Sequence, residues 1–270
     1  MGKEIADSYQ KSKLIKVHEK YFMALVSIVT PAFNASKSIA KTVASVQAQS
    51  YSDWEMIIVD DCSKDGTYQL ALDLSQQDER IKVHQLKTNQ GAAAARNFAI
   101  EQAKGRYIAF LDSDDRWLPK KLETQLGYME NNNVAFVCSG YDVVNVDGTK
   151  IAEFMPPKRA SYYDLLRTCS VGCLTAMYDT QVFGKVMMPL IKRRQDYGLW
   201  LELLRKGGEC HGIQEVLAQY SIGGGSLSQN KFKAARYQWY VYRQVEKLPL
   251  LRSCYYFVTY CVNGLLKYRN

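Results

Sequence analysis

The chain has 270 residues, of which 47% are hydrophobic and 23% charged. That mix excludes a chain disordered throughout, a collagen-like repeat and a coiled coil, and the length suffices to bury a core without staples. The net charge of +8 is uneven: residues 229–270 hold eight Lys or Arg against Glu246 alone, so the remainder is near neutral.

A basic end of this kind points to an anionic partner, a membrane surface or nucleic acid. The seven cysteines, at 62, 138, 169, 173, 210, 254 and 261, form no C-x-x-C pair. They read as free thiols in a reducing compartment. The first 20 residues carry many charges and no apolar signal region. The longest uncharged apolar stretch, Ser253 to Leu266, falls short of the roughly 20 residues a span needs. The expectation is a cytoplasmic protein, peripheral at the inner face of the cell membrane.

Residues 1–22 read as a polar lead-in. Ala24 to Val29 is a short β-branched run, a buried strand stopped by Pro31. Lys37 to Gln49 has helical spacing, and Trp54 to Val59 is a second buried strand ending in Asp60-Asp61. A helix over 67–77, a strand over 81–86, an alanine-rich helix over 92–103 and a strand over 107–111 follow. The alternation predicts an α/β fold with a mostly parallel sheet flanked by helices. In the second half, strands are read at 136–146, 174–178 and 216–222, and helices at 161–168, 196–206 and 233–246. A Gly223-Gly-Gly225 loop precedes a helical basic C-terminal tail.

The polar clusters fall at the strand ends: Asn34, Asp60-Asp61, Asn89 and Asp112-Ser113-Asp114-Asp115. Ligands of open α/β sheets bind beyond the carboxyl ends of strands, so these clusters predict one site. Two carboxylates just past a strand end can converge on a hard divalent cation, which takes phosphate oxygens and water for its remaining ligands. An acidic turn capping the next helix is the plainer alternative. Asp60 suits a nucleobase N–H or a ribose hydroxyl, while Ser63 and Asp65 suit helix capping. Gly91 and the alanines at 92–95 let a ligand approach a helix start, with Arg96 one turn in. No Walker or dinucleotide glycine motif is present. Asp196 and Trp200, four apart, share a helix face. An acid beside an aromatic ring suits a sugar hydroxyl, and a capped helix with Trp200 in the core is the alternative.

Taken in order, Val26-Ser-Ile-Val-Thr-Pro-Ala-Phe-Asn34, Ile57 to Thr67, Asn89 to Asn97, Ala109 to Asp115 and Arg194 to Trp200 resemble GT-A glycosyltransferase family 2. The likeness is to its bacterial surface-polysaccharide members of the teichuronic-acid, capsule and O-antigen type, and it covers about residues 24–230. It implies a GT-A catalytic domain over 23–230, with a nucleotide-sugar-binding half (23–115) and an acceptor half (116–230), and a helical, aromatic tail over 231–270. It further implies an inverting transfer from a nucleotide-diphosphate sugar, by family habit a UDP-sugar, to a glycan or lipid-linked acceptor. By the same resemblance Pro31, Phe33, Asn34, Asp60, Arg96, Asp112 and Ser113 contact the donor nucleotide. Asp114 binds Mn²⁺ or Mg²⁺, Asp196 is the general base, and Trp200 helps form the acceptor pocket.

Two departures stand out. Gln195 occupies a place where the family often has Glu. The run Tyr220-Ser-Ile-Gly223-Gly-Gly-Ser226-Leu-Ser228 lacks the family's frequent Arg and His, which leaves closure over the donor to glycine-loop backbone or to Lys231.

The tail aromatics, among them Trp239, Tyr240, Tyr255, Tyr256 and Tyr260, suit an anionic lipid surface. They equally suit packing on the catalytic domain. Nucleic acid is disfavoured, because no nucleic-acid motif accompanies the basic tail. The rival functions are a nucleotide-sugar-binding module without turnover and a metal-dependent nucleotidyltransferase; the second has no need of Asp196.

Overall fold

The computed structural model describes residues 25–145, 147–222 and 231–266. The lead-in read over 1–22, the segment Gly223–Ser228 and the Lys231 side chain lie outside the described residues.

Strands β1 (Val26–Ala32) and β2 (Trp54–Asp60) are buried at every position. With helix α1 (Ile39–Gln47), helix α2 (Thr67–Gln77), β3 (Ile81–Gln85), helix α3 (Ala92–Gln102) and β4 (Tyr107–Phe110) they complete the expected alternation. β1 pairs in parallel with β2 and β4, and β2 with β3. Both faces of these strands are covered, so alternate residues feed two separate cores. Val29, Ile57, Val59, Ile108 and Phe110 face one; Ile28, Met56, Ile58, Tyr107 and Ala109 face the other.

β1 does not stop at Pro31. It runs to Ala32, with Pro31 opposite Val59 of β2. Proline is tolerated here because Val29 O takes the last bond from the β4 side, from Leu111 N. The amide that Pro31 lacks would point to that same side, beyond the end of β4.

The rest of the chain supplies β5 (Arg116–Trp117), α4 (Lys121–Asn132), β6 (Phe136–Asn145), β7 (Lys150–Phe154), β8 (Arg159–Ala160) and α5 (Tyr162–Arg167). A 3₁₀ turn (Cys173–Thr175), β9 (Met177–Asp179), α6 (Thr180–Phe183), α7 (Gln195–Lys206) and β10 (Cys210–Ile222) complete it. The ten-stranded sheet has the order β3-β2-β1-β4-β9-β6-β10-β5, with β7 on β6 and β8 on β10. β9 is antiparallel to both β4 and β6, while β6 and β10 run parallel. The sheet is therefore parallel through the first half and mixed through the second. The strand expected at 174–178 is a 3₁₀ turn followed by a shorter strand, and β10 starts six residues before the expected 216.

The tail packs on the domain. Helix α8 (Lys231–Tyr240), a π turn (Val241–Val245) and α9 (Leu250–Leu266) follow one another. Val241, Tyr242 and Tyr256 join the same core as α5 and α7. Tyr242 OH donates to Leu166 O at 2.5 Å. The buried Glu246 carboxylate accepts from Tyr162 OH at 2.6 Å and Arg205 Nη1 at 3.0 Å.

Candidate active site

Strand order locates the site. β1, β2 and β3 step outward in one direction, and β4 lies on the other side of β1. The reversal leaves a crevice at the carboxyl ends of β1 and β4, the place where such sheets bind ligands. Asn34, Asp60 and Asp112 all leave strands at this edge.

The first two loops are stapled together. Asn34 adopts a left-handed conformation (φ 50°), which asparagine tolerates better than most residues. Its amide donates to Ser63 Oγ at 2.9 Å, and its side-chain oxygen accepts from Lys64 N at 2.9 Å. Ala35 N donates to Thr67 Oγ1 at 2.7 Å and Ser36 N to Asp65 at 3.2 Å. Phe33 stands half-exposed beside this staple, above a buried Pro31.

The two aspartates at the end of β2 have different tasks. Asp61 uses both oxygens on backbone, accepting from Gln90 N and Gly91 N at 2.7 Å each. It thereby fixes Gly91, whose φ of 90° favours glycine, at the start of α3. Asp60 is 0% exposed. Its Oδ2 accepts from Ser63 N and Gln85 Nε2, both at 3.0 Å, while Oδ1 has no partner among the described residues. A buried carboxylate oxygen left unpaired is costly, so Asp60 is set to receive a ligand N–H or O–H.

Arg96 points from α3 into the crevice and is 6% exposed. Its Nη2 donates to Asp112 Oδ1 at 2.5 Å, and Nε and Nη1 have no partner among the described residues. Burial opposes its charge, but Asp112, with Asp196 farther off, outweighs that and raises its pKa. The next residue, Asn97, binds Met188 in both directions, N to Oδ1 at 2.7 Å and Nδ2 to O at 2.9 Å. Gly198 lets α7 approach the same loop, since a Cβ there would meet Pro189 at 2.5 Å. α3 thus fixes both Arg96 and the segment leading to α7.

The acidic turn closes on itself, with Asp115 N donating to Asp112 O at 3.1 Å. Thr42 Oγ1 of α1 donates to the carbonyls of Ser113 (3.0 Å) and Asp115 (2.9 Å). The buried Asp115 carboxylate accepts from Ser221 N of β10 at 3.0 Å. Burial, then Asp112 and Asp114, push the Asp115 pKa well up. Asp114 is exposed at its tip, yet the protein around it and the like charge of Asp112 raise its pKa too. A cation held there would relieve that repulsion. No group of three or more metal-ligating side chains is assembled among the described residues. The carboxylates of this turn would fit Mg²⁺ or Mn²⁺, which take one or two carboxylates and complete their shell with phosphate and water.

Asp196 lies in the first turn of α7, half-buried, near enough to Arg96 and Arg194 to act on their charge. Gln195 beside it is buried. Cys173, on the 3₁₀ turn, faces the same group, and burial drives its thiol pKa well up. Trp200 is the correction. It is 0% exposed, stacked on Phe136 (5.4 Å) and edge-on to Phe110 (5.3 Å), and so seats α7 in the core instead of lining an acceptor pocket. Asp115, Thr42 and Cys173 were not singled out from sequence. Asp115 stood within the acidic run, but nothing in the sequence marks the other two.

A cavity of 410 Å³ opens on the far face of α7 from Asp196, beside Met188, Pro189, Gly198, Arg205 and Glu246. Its Arg205 and Glu246 are bonded to each other, and it lies apart from the crevice.

Comparison with known proteins agrees with this fold. The sequence profile of glycosyl transferase family 2 matches residues 27–183. The chain is 47% identical over 244 residues to TuaG of Bacillus subtilis (strain 168), whose name assigns it to teichuronic acid biosynthesis; the match covers 90% of this chain and 97% of TuaG. It is 37% identical to the Escherichia coli UDP-Glc:α-D-GlcNAc-diphosphoundecaprenol β-1,3-glucosyltransferase WfgD, over 90% of this chain and 95% of that one. In fold it is similar to Staphylococcus aureus TarS 1–349 in complex with UDP-GlcNAc (TM-score 0.68, 20% identity, 88% of this chain and 72% of that one). The chain belongs to glycosyl transferase family 2 and is a glycosyltransferase.

Proposed function

We propose that the protein is an inverting glycosyltransferase that moves a sugar from a UDP-sugar to a hydroxyl of a lipid-linked glycan acceptor during bacterial surface-polysaccharide synthesis. One observation carries this reading: a single crevice gathers a buried carboxylate with a free oxygen (Asp60), an Arg96–Asp112 pair and a carboxylate at a helix start (Asp196). The names of the relatives supply the substrate classes, since WfgD takes UDP-Glc to a GlcNAc-diphosphoundecaprenol.

In this reading Pro31, Phe33 and Asn34 line the nucleotide pocket. Asp60 accepts from the base with Arg96 near it, and Asp112 with Ser113 contacts the ribose side. Asp114 would hold Mn²⁺ or Mg²⁺, which would supply charge neutralisation for the diphosphate leaving group. Asp196 takes the proton from the acceptor hydroxyl as that oxygen attacks the anomeric carbon from the face opposite the leaving group. The catalytic unit spans 23–230, and the tail, 231–270, keeps it at the inner face of the membrane.

The test is nucleotide release from UDP-, dTDP- and GDP-sugars, with Mn²⁺ or with EDTA, using Asp114→Ala as control. Metal-dependent release from a UDP-sugar, absent in the variant, is the expected result. Absence of both release and nucleotide binding by calorimetry would overturn the reading.

A further inference from the structure

Helix α9 is apolar on two opposite sides. The inner side carries Ser253 and Tyr256, both buried, and Tyr260, whose hydroxyl accepts from Arg194 Nη2 at 2.7 Å. On the outer side Leu251, Tyr255, Val258 and Val262 recur at the spacing of one helix stripe. They are 84%, 55%, 60% and 47% exposed. A surface helix ordinarily turns a polar face to water, and a contiguous apolar stripe marks an interaction surface.

The charges beside the stripe say what covers it. Lys247 and Arg252 are exposed at its start, and no acidic residue occurs from 247 to 270. Glu246, the acid that precedes the helix in sequence, is buried and committed to Tyr162 and Arg205. A second copy docked through this face would set these cations against the same cations, with no carboxylate of the helix to offset them. A bilayer with anionic headgroups meets both demands, apolar chains for the stripe and negative charge for its rim. No helix among the described residues is long and apolar enough to cross a membrane, so α9 would lie in the plane of the interface.

We propose that the outer face of α9 seats the enzyme on an anionic bilayer, and that the Arg194–Tyr260 bond sets the start of α7, with Asp196, at a fixed orientation to that surface. The surface itself stands on exposure and charge. Its use for a lipid-linked acceptor rests on the function proposed above.

The test is co-sedimentation of the full chain with vesicles of mixed phosphatidylglycerol and phosphatidylcholine, against phosphatidylcholine alone, for wild type and Leu251→Asp/Val258→Asp. Both positions are well exposed, so the variant should keep its thermal melt and its nucleotide release in solution. The expected result is binding to the anionic vesicles only, reduced roughly tenfold or more in the double variant. Lys247→Gln/Arg252→Gln should weaken binding and flatten its salt dependence. Equal binding by wild type and the apolar variant would overturn the proposal. So would a lipid-free dimer that the same variant converts to monomer. Vesicle binding with neither nucleotide release nor nucleotide binding by calorimetry would overturn the proposed function and leave the surface standing.

Discussion

Arg194 and Tyr260 meet across 66 positions of sequence, Nη2 to hydroxyl at 2.7 Å, with the guanidinium 5.4 Å from the tyrosine ring centre. Arg194 is held in a left-handed conformation (φ 65°) at the N-cap of α7, two residues before Asp196. Helix α7 and the tail helix are thereby tied at the end that carries Asp196. Tyr260→Phe removes this bond and should cost about 1 kcal/mol of stability. It should lower kcat more than it weakens donor affinity; a thermal melt and a separate nucleotide titration read the two effects.

Asp196→Asn keeps the shape of the first turn of α7 and removes the proton acceptor. Donor affinity should hold while transfer falls by about 10² to 10⁴. Unchanged turnover in single-turnover assays would remove Asp196 as the base.

The adjacent aspartates of β2 should separate cleanly. Asp61→Ala frees two part-buried backbone amides and should cost about 1–2 kcal/mol in a denaturant melt. Asp60→Asn retains an oxygen for Ser63 N and should keep most stability while weakening nucleotide binding about tenfold or more. Equal loss of stability in both would make Asp60 a structural residue.

Trp200→Ala should destabilise by about 3–5 kcal/mol, because it empties a fully enclosed site between Phe136 and Phe110. Trp200→Phe should cost less and leave the acceptor KM unchanged, which kinetics on the folded variant would check.

Asp78 provides a pH-dependent contribution away from the site. Hydrogen bonds from Arg80, then Gln47, hold its pKa at about 2, while Arg80 lies 3.8 Å over the Trp54 ring. A depressed carboxylate pKa stabilises above the ordinary value and loses that stabilisation as pH falls toward 2. Asp78→Asn should therefore cost about 1 kcal/mol at neutral pH, given that Arg80 is partly solvated. It should also flatten the acid limb of the stability curve between about pH 4 and 2.

The first half of the fold was legible because its strands are continuous apolar runs and its helices carry clear spacing. Helix α2 falls on the residues expected, and β2 extends one residue further. The gaps have physical causes. Helix α4 is masked in the sequence although Leu122, Leu126 and Met129 line its buried side; its outer side is polar and it buries a lysine, Lys121, over the Trp117 ring. β5 and β8 are two residues each and exist only as partners of β10. At the site, the roles that depend on contact were hidden. Sequence offers no way to tell that Asp61 is spent on backbone while Asp60 keeps an oxygen free, and Trp200 fits a sugar platform and a core position equally until its neighbours are known. Of the tail's two readings, packing on the domain accounts for the inner side of α9, and the membrane surface is the proposal made for its outer side.

The place of β4 between β1 and β9 has a kinetic corollary. Amides in the interior of a buried sheet exchange with solvent deuterium chiefly through global unfolding, whereas those beyond its edge open locally. Ile108 to Phe110 should then be among the slowest protons in the molecule to exchange, while the loops after β1 and β2 exchange faster.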